Sequence, residues 1–332
     1  MISKTLNKVS RFCLGIVACS VAYSIPAMSY AADYPVRPIT FVVPYSPGGL
    51  PDTVARVVAD GLSKSLKQSV VVENKPGANG VVAANTIKTS PADGYTFLVT
   101  DGSMISINPH IYKNLSYDPF KDFVPVSLIA TSPLFLAVHS SLNITTLQQF
   151  IDLVKANPDK YSYGSSGIGS THHLAMEALK ADLGLEMTHV PYRGSSQSIP
   201  ALVGNQVQFA FAALPSLKGF VEQGKVKILA SNALERNELA KDIPTISEVI
   251  PGYDFAVSVG ILARVGTPDA AVQKISAAVT ELSKTPEFKQ SMGTLGIVAV
   301  GGDAKTYGAN TREESNRYVK AIEHAKISID SK

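Results

Sequence analysis

The 332-residue chain carries 30 basic and 27 acidic residues, is 45% hydrophobic and contains two cysteines. Three of the bases and both cysteines lie before residue 32 in a stretch without acids, so the remainder is balanced in charge and has no thiol. This balance argues against nucleic-acid binding, and the lack of thiols excludes disulfides, cysteine-metal sites and a cysteine nucleophile from the remainder.

Residues 1–31 have the pattern of a secretory signal peptide. Three bases precede a mostly apolar stretch at 12–25, and residues 29–31 offer the small side chains that a signal peptidase needs. The apolar stretch is shorter than the ~20 residues that span a bilayer. We therefore expect a soluble protein exported to the periplasm. A second interpretation stays open, in which Cys19 is the lipid-bearing residue of a lipoprotein signal.

A strand, a Pro/Gly-rich turn and a helix are predicted next. The β-branched and aromatic run at 39–43 indicates a buried strand. Gly48 and Gly49 are free to take positive φ and to bring bare backbone N–H groups close to a ligand. Pro51 suits the start of a helix predicted over 52–66, whose positive dipole end faces the turn. The pattern predicts a small-anion site, although an ordinary strand-to-helix connection would look the same.

Short β-branched runs alternate with helical patterns along the rest of the chain. Strands are predicted over residues 70–73, 96–100, 126–130, 134–138, 187–190, 207–211, 226–231 and 255–262. Helices are predicted over residues 80–88, 147–156, 171–183, 214–223, 269–282 and 304–325. This alternation predicts an α/β fold with largely parallel sheets. The length predicts two lobes, with the ligand in the cleft between them.

Two further turns follow strands in the second half of the chain. The turn at 162–170 contains three glycines and leads into the helix predicted from residue 171. Its backbone donors suit an anion, but simple helix capping by Ser170 is the alternative explanation. The turn at 191–196 carries Arg193, whose planar guanidinium suits a carboxylate. A solvated or structurally paired arginine is the alternative there.

Four other side chains are candidates for the site. Asp52 would repel a carboxylate at short range, so we expect it to accept hydrogen bonds from the turn or from a bridging water, or to complement the helix N-terminus. His172 and His173 begin the second helix, where one of them could donate to an anion or simply be exposed. Ser103 follows a predicted strand. Because neither glycine turn contains a base, we expect backbone dipoles and water, rather than salt bridges, to hold the anion.

An exported hydrolase is the alternative from another class of protein. The sequence lacks a G-x-S-x-G elbow, an H-E-x-x-H motif and a nucleotide-binding P-loop. His172 and His173 are adjacent and lack the i, i+4 spacing that places two ligands on one helix face. We therefore expect no catalysis, no metal and no cofactor. A ligand-presenting protein for a membrane sensor kinase is a third interpretation, because its sequence would look the same.

Several segments, in order, resemble blocks of the substrate-binding proteins of tripartite tricarboxylate transporters, also called the Bug family. The resemblance covers essentially the whole chain after the signal peptide. The segments are YPVRPITFVVPYSPGGLPDTVAR, VVENKPGANGVVAANTIKTSPADGYTFLV, NPHIYKNLSYDPFKDFVPVSLIA, YSYGSSGIGSTHHLAMEAL, HVPYRGSSQSIPALVGNQVQ and DIPTISEVIPGY.

The resemblance implies a periplasmic solute receptor with a two-lobed, type II-like fold. Residues 32–131 and 254–332 would form one lobe and residues 132–253 the other, joined by crossing strands. A monomer would close on a di- or tricarboxylate or an aromatic acid and deliver it to membrane transporter subunits. Carried over by position, two turns hold a ligand carboxylate, partly through water. The residues predicted to bind are Tyr45, Ser46, Gly48, Gly49, Asp52, Ser103, Ser165, Ser166, Gly169, Ser170, His172 and Arg193.

Two departures from the family pattern leave the identity of the acid open. The chain has no tryptophan, although an aromatic residue, often tryptophan, is usual near residues 257–260. Gln208 stands where an acidic residue is common.

Overall fold

The computed structural model describes residues 34–237 and 240–329. The predicted signal peptide and the question of Cys19 therefore lie outside the described residues. The strands are β1 (Ile39–Val43), β2 (Val70–Asn74), β3 (Thr96–Asp101), β4 (Phe123–Ser132), β5 (Phe135–His139), β6 (Ser162–Ser165), β7 (Thr188–Pro191), β8 (Phe209–Ala212), β9 (Val226–Ser231), β10 (Val257–Arg264) and β11 (Val298–Gly302).

Helices connect most of these strands. They are α1 (Leu50–Leu66), α2 (Val81–Thr89), α3 (Asn108–Ile111), α4 (Leu147–Lys155), α5 (Thr171–Leu183), α6 (Ser195–Val203), α7 (Leu214–Glu222), α8 (Asp269–Lys284), α9 (Pro286–Gly293) and α10 (Ala304–Ala325). A π-helical turn at Ser103–Ile107 precedes α3. Within residues 34–237 and 240–329, no helix combines the length and apolar character that crossing a membrane requires.

The strands form two mixed sheets. One has the order β11-β4-β10-β3-β1-β2 and the other β7-β6-β8-β5-β9. The two sheets with their helices are called the first and second lobe below. The predicted α/β class and two-lobed fold are confirmed, while the residue boundaries of the lobes stay a prediction.

The prediction of largely parallel sheets is wrong. β1, β2 and β3 are parallel, as are β7, β6 and β8. β10 and β5, in contrast, run antiparallel to both of their neighbours. The reason lies in the two crossings between the sheets. β5 follows β4 directly and takes the chain into the second sheet, and β10 brings the chain back from the second sheet to the first. Each of these two strands therefore runs in the opposite direction to the strands on both sides of it.

The predicted elements are confirmed in type, with shifts of a few residues at their ends. Five elements escape prediction from the sequence: α3, β6, α6, α9 and β11. α6 contains Pro200 and begins with polar residues, and β11 ends in two glycines, so neither pattern indicates regular structure. Tertiary packing against neighbouring elements stabilises them in spite of their local sequence.

Helices α1 and α5 position the two predicted turns. The buried face of α1 includes Val54, Val58 and Leu62, and burial of each such side chain contributes about 1.5–3 kcal/mol. α5 is buried along its first two turns, is capped by Ser170, and ends at Gly184 in the left-handed conformation. Both helices are thus anchored by their own lobe, with their N-termini directed at the cleft.

Asn232 joins the two segments that cross between the lobes. Its backbone N donates to the Leu134 carbonyl at 2.9 Å, and its side-chain Oδ1 accepts from the Leu134 amide at 2.7 Å. Its Nδ2 donates to the Phe255 carbonyl at 2.6 Å. The side chain is fully buried. This one residue therefore fixes how the crossing strands pass each other.

Candidate functional site

The first turn lies between β1 and α1. Gly48 has φ +88°, whereas Gly49 caps α1 with φ −82°, so only one of the two glycines uses the left-handed region. No side chain caps α1, and the helix begins with main chain facing the cleft. The Ser46 hydroxyl donates to the Arg193 carbonyl of the second lobe at 3.3 Å.

Asp52 supports the first turn from beneath. Its carboxylate is 2% exposed and accepts from the Gly48 amide at 2.9 Å and from Asn74 Nδ2 at 2.8 Å. Arg56 donates to both carboxylate oxygens, at 3.0 and 2.9 Å. Burial opposes ionisation of Asp52, but the hydrogen bonds from Arg56, Gly48 and Asn74 hold its pKa below the usual value. The carboxylate is therefore occupied within its own lobe.

Tyr45 is directed into a buried network at the end of β3. Its hydroxyl donates to Asp101 Oδ1 at 3.0 Å, and the Ser103 amide donates to the same oxygen at 3.0 Å. Burial raises the pKa of both Tyr45 and Asp101. The network fixes Ser103, whose Oγ accepts from the Thr171 amide of the second lobe at 3.2 Å.

The second turn connects β6 to α5. Gly167 and Gly169 both lie at positive φ, +131° and +74°. Ser170 caps α5 by accepting from the His173 amide at 3.2 Å. The Ser165 hydroxyl is bound inside the turn to the Gly167 amide and carbonyl, each at 3.1 Å.

Both histidines at the start of α5 are buried. His173 Nδ1 accepts from the Gly169 amide at 3.1 Å. His172 Nε2 lies 3.3 Å from Ser195 Oγ, which in turn lies 3.2 Å from Ser166 Oγ. Burial lowers the pKa of each histidine to about 4. They are therefore neutral near pH 7, and they lie behind the second turn.

Each glycine turn is hydrogen-bonded to other residues of the opposite lobe across the cleft. Asn79 Nδ2 of the first lobe donates to the Gly169 carbonyl of the second at 2.8 Å. Ser216 Oγ of the second lobe donates to the Gly48 carbonyl of the first at 3.2 Å. Together with the hydrogen bonds of Ser46 and Ser103, these bonds connect the two lobes close to both turns.

A cavity of about 270 Å³ remains between the two lobes, with the second glycine turn on one wall. Among the described residues that line it, Arg193 is the one with a charged side chain. Three of the twelve predicted site residues, Tyr45, Ser166 and Arg193, contribute to the lining, while the others lie beside or behind it. The lining consists of Pro44, Tyr45, Gly77, Ala78, Asn79, Tyr112, Ser166, Gly167, Ile168, Pro191, Tyr192, Arg193 and Ile329.

Sequence reasoning missed the turn that contains Asn79. Gly77, Ala78 and Asn79 all have positive φ, at +142°, +45° and +47°. Asn79 Nδ2 also contacts Asn108 Oδ1 at 2.8 Å, so its side chain bridges both lobes from a strained backbone. The segment Gly-Ala-Asn-Gly is a recognisable turn signal that could have identified this third wall of the cavity.

A buried carboxyl on α10 was also missed. Glu314 is 1% exposed, accepts from Ser106 Oγ at 3.0 Å and lies against Gly102, where the methyl group of an alanine would approach its Oε2 to 2.0 Å. Burial raises the pKa of Glu314 to about 8. It supports the Gly102 turn, which carries Asp101 and Ser103. Among the described residues, no group of three His, Cys, Asp or Glu side chains could hold a metal ion.

A larger groove, of about 550 Å³, lies between α5, α10 and residues 250–255. It mixes acidic and basic side chains, including Asp182, Glu313, Arg317 and Lys320, and neither glycine turn reaches it. The 270 Å³ cavity, which Tyr45 and the second turn help to line, is therefore the candidate ligand site.

Comparison with known proteins identifies the family. Residues 54–327 match the model of the tripartite tricarboxylate transporter family receptor. The chain belongs to this family. The predicted resemblance is confirmed, and the protein is a solute receptor of the Bug type; such receptors are periplasmic binding proteins.

Three relatives illustrate the similarity. A UPF0065 protein of Bordetella pertussis is 36% identical over 282 residues, 84% of this chain and 86% of the relative. Rpa4515 of R. palustris, solved with adipate, is 33% identical with a TM-score of 0.87, and covers 90% of this chain and 100% of its own. MatC of Rhodopseudomonas palustris, solved with bound malate, is 29% identical with a TM-score of 0.81, over 87% of this chain and 100% of its own.

Proposed function

We propose that this receptor binds a small organic dicarboxylate in the 270 Å³ cavity between its two lobes and delivers it to a membrane transporter. The observation that carries the proposal is the cavity itself, which has uncharged main chain from both lobes on its walls and one cation, Arg193, among its described lining residues. One carboxylate would lie between the turns, and Arg193 would bind the other.

The surroundings of Arg193 support this role. The residue is exposed, and its backbone is fixed, because its amide donates to Gln197 Oε1 at 3.2 Å and its carbonyl accepts from Ser46. Within the described part of the chain, its guanidinium has no carboxylate partner at ion-pair distance, unlike Arg56 and Arg236. Its fork of N–H donors is therefore available for a ligand carboxylate.

The ligands of two solved relatives support the choice of a diacid. Rpa4515 was solved with adipate and MatC with malate, and each of these acids has two carboxyl groups. The cavity is large enough for an acid of this size, and it lacks a described anionic side chain that would repel either carboxylate.

We also propose that the protein performs no chemistry on its ligand. Ser165 Oγ lies 2.7 Å from His189 Nε2, as in a hydrolase, but Ser165 is fully buried and bonded inside its own turn. Burial, with His173 beside it, lowers the pKa of His189 to about 3, so the imidazole is a poor base. Both features favour a structural role for the pair.

Binding would be coupled to closure of the lobes. The cross-cleft bonds of Asn79, Ser103 and Ser216 exist only when the turns are close, and a ligand that touches both turns has a higher affinity for that state. The site of action would be the periplasm, reached by the signal peptide predicted over residues 1–31. A monomer would present the closed form to the transporter; a pull-down from membranes would recover transporter subunits rather than a sensor kinase.

Calorimetry with two chain-matched acids tests the proposal. Adipate has a second carboxylate and hexanoate does not. The parent protein should bind adipate, and Arg193→Ala should weaken that binding about tenfold, because a charge-assisted hydrogen bond contributes about 1.5–3 kcal/mol before solvent screening. Hexanoate binding should change less than about threefold.

The control is Arg312→Ala, which removes an exposed arginine from α10 and should leave adipate binding unchanged. Parental affinity of Arg193→Ala for adipate would contradict the role of Arg193. A thermal-shift screen of diacids in which no acid raises the melting temperature would contradict the ligand class.

A further inference from the structure

Three aromatic rings are stacked directly beneath the second turn. The imidazoles of His173, from α5, and His189, from β7, are nearly parallel, with centroids 3.8 Å apart and planes at 13°. The ring of Tyr163, from β6, stacks on His189 with centroids 4.9 Å apart. All three side chains lie mostly inside the second lobe, and the proposed ligand contacts do not require them.

The two imidazoles hold opposite ends of the turn. His189 Nε2 lies 2.7 Å from Ser165 Oγ, and that hydroxyl also binds the Gly167 amide and carbonyl. His173 Nδ1 accepts from the Gly169 amide at 3.1 Å. The Gly169 carbonyl accepts from Asn79 across the cleft. Gly169 is therefore bonded to His173 through its amide and to the opposite lobe through its carbonyl.

The bond from the Gly169 amide requires a particular protonation state of His173. A backbone N–H donates only to an imidazole nitrogen with a free lone pair, so Nδ1 is unprotonated and the proton lies on Nε2. A second proton would place N–H against N–H at this contact. Cationic His173 would therefore have to release Gly169.

The charged groups around the stack favour the neutral form. Lys180 of α5 pairs with Glu177 at 2.8 Å and lies 5.6 Å from the centroid of the Tyr163 ring; Glu177 also accepts from the Tyr163 hydroxyl. Burial, and then the Lys180 cation, lower the pKa of His173 to about 4. Glu177 opposes this effect at His189, but two imidazoles stacked at 3.8 Å strongly disfavour two positive charges.

We propose that His173 and His189 are positioning residues for the anion-binding turn, and that protonation of His173 releases the Gly169 amide and weakens ligand binding. The consequence for binding rests on the proposed function, whereas the coupling between His173 and Gly169 does not. The neutral imidazole of His173 accepts a hydrogen bond from the turn, and protonation of that imidazole at low pH removes the acceptor.

An NMR titration of the ligand-free protein tests the coupling directly. In protein labelled at glycine nitrogens and histidine ring carbons, the Gly169 amide should titrate with the same midpoint as His173, below pH 5. In His173→Asn the amide oxygen replaces Nδ1 as an acceptor without titrating, so the Gly169 signal should no longer move with that midpoint. A Gly169 amide that is indifferent to His173, or that titrates equally in His173→Asn, would overturn the proposal.

Lys180→Gln provides a second test that leaves both histidines in place. Removal of this cation should raise the midpoints of His173 and Gly169 together, because Lys180 lowers the His173 pKa. A shift in the His173 midpoint that Gly169 does not follow would overturn the coupling, even if His173→Asn failed to fold.

Adipate affinity provides the functional test. Protonation of adipate itself is common to parent and variant, so their ratio isolates His173. At pH 4, where about half of the ligand-free parent carries the proton, the parent should lose about twofold more affinity than His173→Asn, relative to pH 7. Equal losses would overturn the functional consequence. If adipate fails to bind at pH 7, adipate is excluded as the ligand, the thermal-shift screen of diacids decides the ligand class, and the Gly169 titration still decides the coupling.

Discussion

The two glycine turns present similar main chain to the cleft but are supported by opposite kinds of side chain. The first turn is held by the ionised carboxylate of Asp52, neutralised by Arg56. The second is held by the neutral imidazoles of His173 and His189. α1 has no side-chain cap, so a carboxylate near its N-terminus is favourable, whereas Ser170 already caps α5.

The comparison shows that an uncharged glycine turn does not require an uncharged support. Asp52 lies behind the Gly48 amide, which covers it from the cleft. A second lesson concerns the turn amides. Those of Gly48, Gly167 and Gly169 already donate within the protein, so glycine-rich sequence overstates how many donors remain for a ligand. The two supports should also respond differently to acid.

Acidification should have the largest effect, and it should act on the second turn. The folded-state pKa values of His172, His173 and His189 are about 4, 4 and 3, below the usual 6.5. Between pH 6.5 and 4 the unfolded chain therefore binds more protons, and the free energy of unfolding falls as the pH falls. Each histidine contributes at most about 1.4 kcal/mol per pH unit.

Urea unfolding of the parent and His173→Asn across this pH range measures how much His173 contributes to the pH dependence of the free energy of unfolding. The variant should lose less stability on acidification. Glu314, whose raised pKa of about 8 makes stability rise as pH falls from 8 to 4.5, is present in both chains and cancels from the difference. Parallel pH profiles would contradict the assignment of a neutral buried His173.

Asp52→Ala should have the next largest effect, about 3 kcal/mol at pH 7. It removes the buried carboxylate on which hydrogen bonds from the Gly48 amide, Asn74 and the half-exposed Arg56 converge, and each such bond contributes about 1 kcal/mol. The matched control is Asp60→Ala on the same helix, where the carboxylate pairs with Lys64 in solvent and should cost under about 0.5 kcal/mol. Equal costs in urea unfolding would mean that Asp52 does not support the turn.

Gly169→Ala should cost about 2 kcal/mol and weaken adipate binding. Its φ of +74° disfavours alanine, and the added methyl would meet Ile111 Cδ1 of the first lobe at 2.0 Å. Gly184→Ala is the control, because it has φ +62° with nothing within 4 Å of the new methyl group. It should cost about 1 kcal/mol and leave calorimetric affinity unchanged. Identical behaviour of the two variants would show that Gly169 is required only for its backbone conformation.

Ser103→Ala should have the smallest effect on stability, about 1 kcal/mol. It removes the hydroxyl that accepts from the Thr171 amide across the cleft. Ser106→Ala removes a comparable buried hydroxyl that bonds Thr311 and Glu314 inside the first lobe. Only Ser103→Ala should weaken adipate binding, as measured by calorimetry. Weaker binding in both variants would indicate a general loss of packing rather than a loss of closure.

The amino-acid sequence by itself determined the family, the α/β class, most of the elements and the two glycine turns. These features are local, since β-branched runs, helix periodicity, Gly48 and the Ser170 cap each act over a few neighbouring residues. The order of the blocks along the chain then identified a receptor of this family. Arg193 was also identified from local sequence, because it lies in the turn that follows a predicted strand. In the structure it lines the cavity.

Tertiary structure decided the direction of β5 and β10, the wall formed by Asn79 and the support of each turn. Antiparallel insertion depends on where the chain crosses between lobes, which no local pattern encodes. His173 and His189 are 16 residues apart in the chain and meet at 3.8 Å only because α5 packs against the sheet that contains β7. Burial then holds both imidazoles neutral, so their role depends on a low-dielectric environment that exists only in the folded lobe.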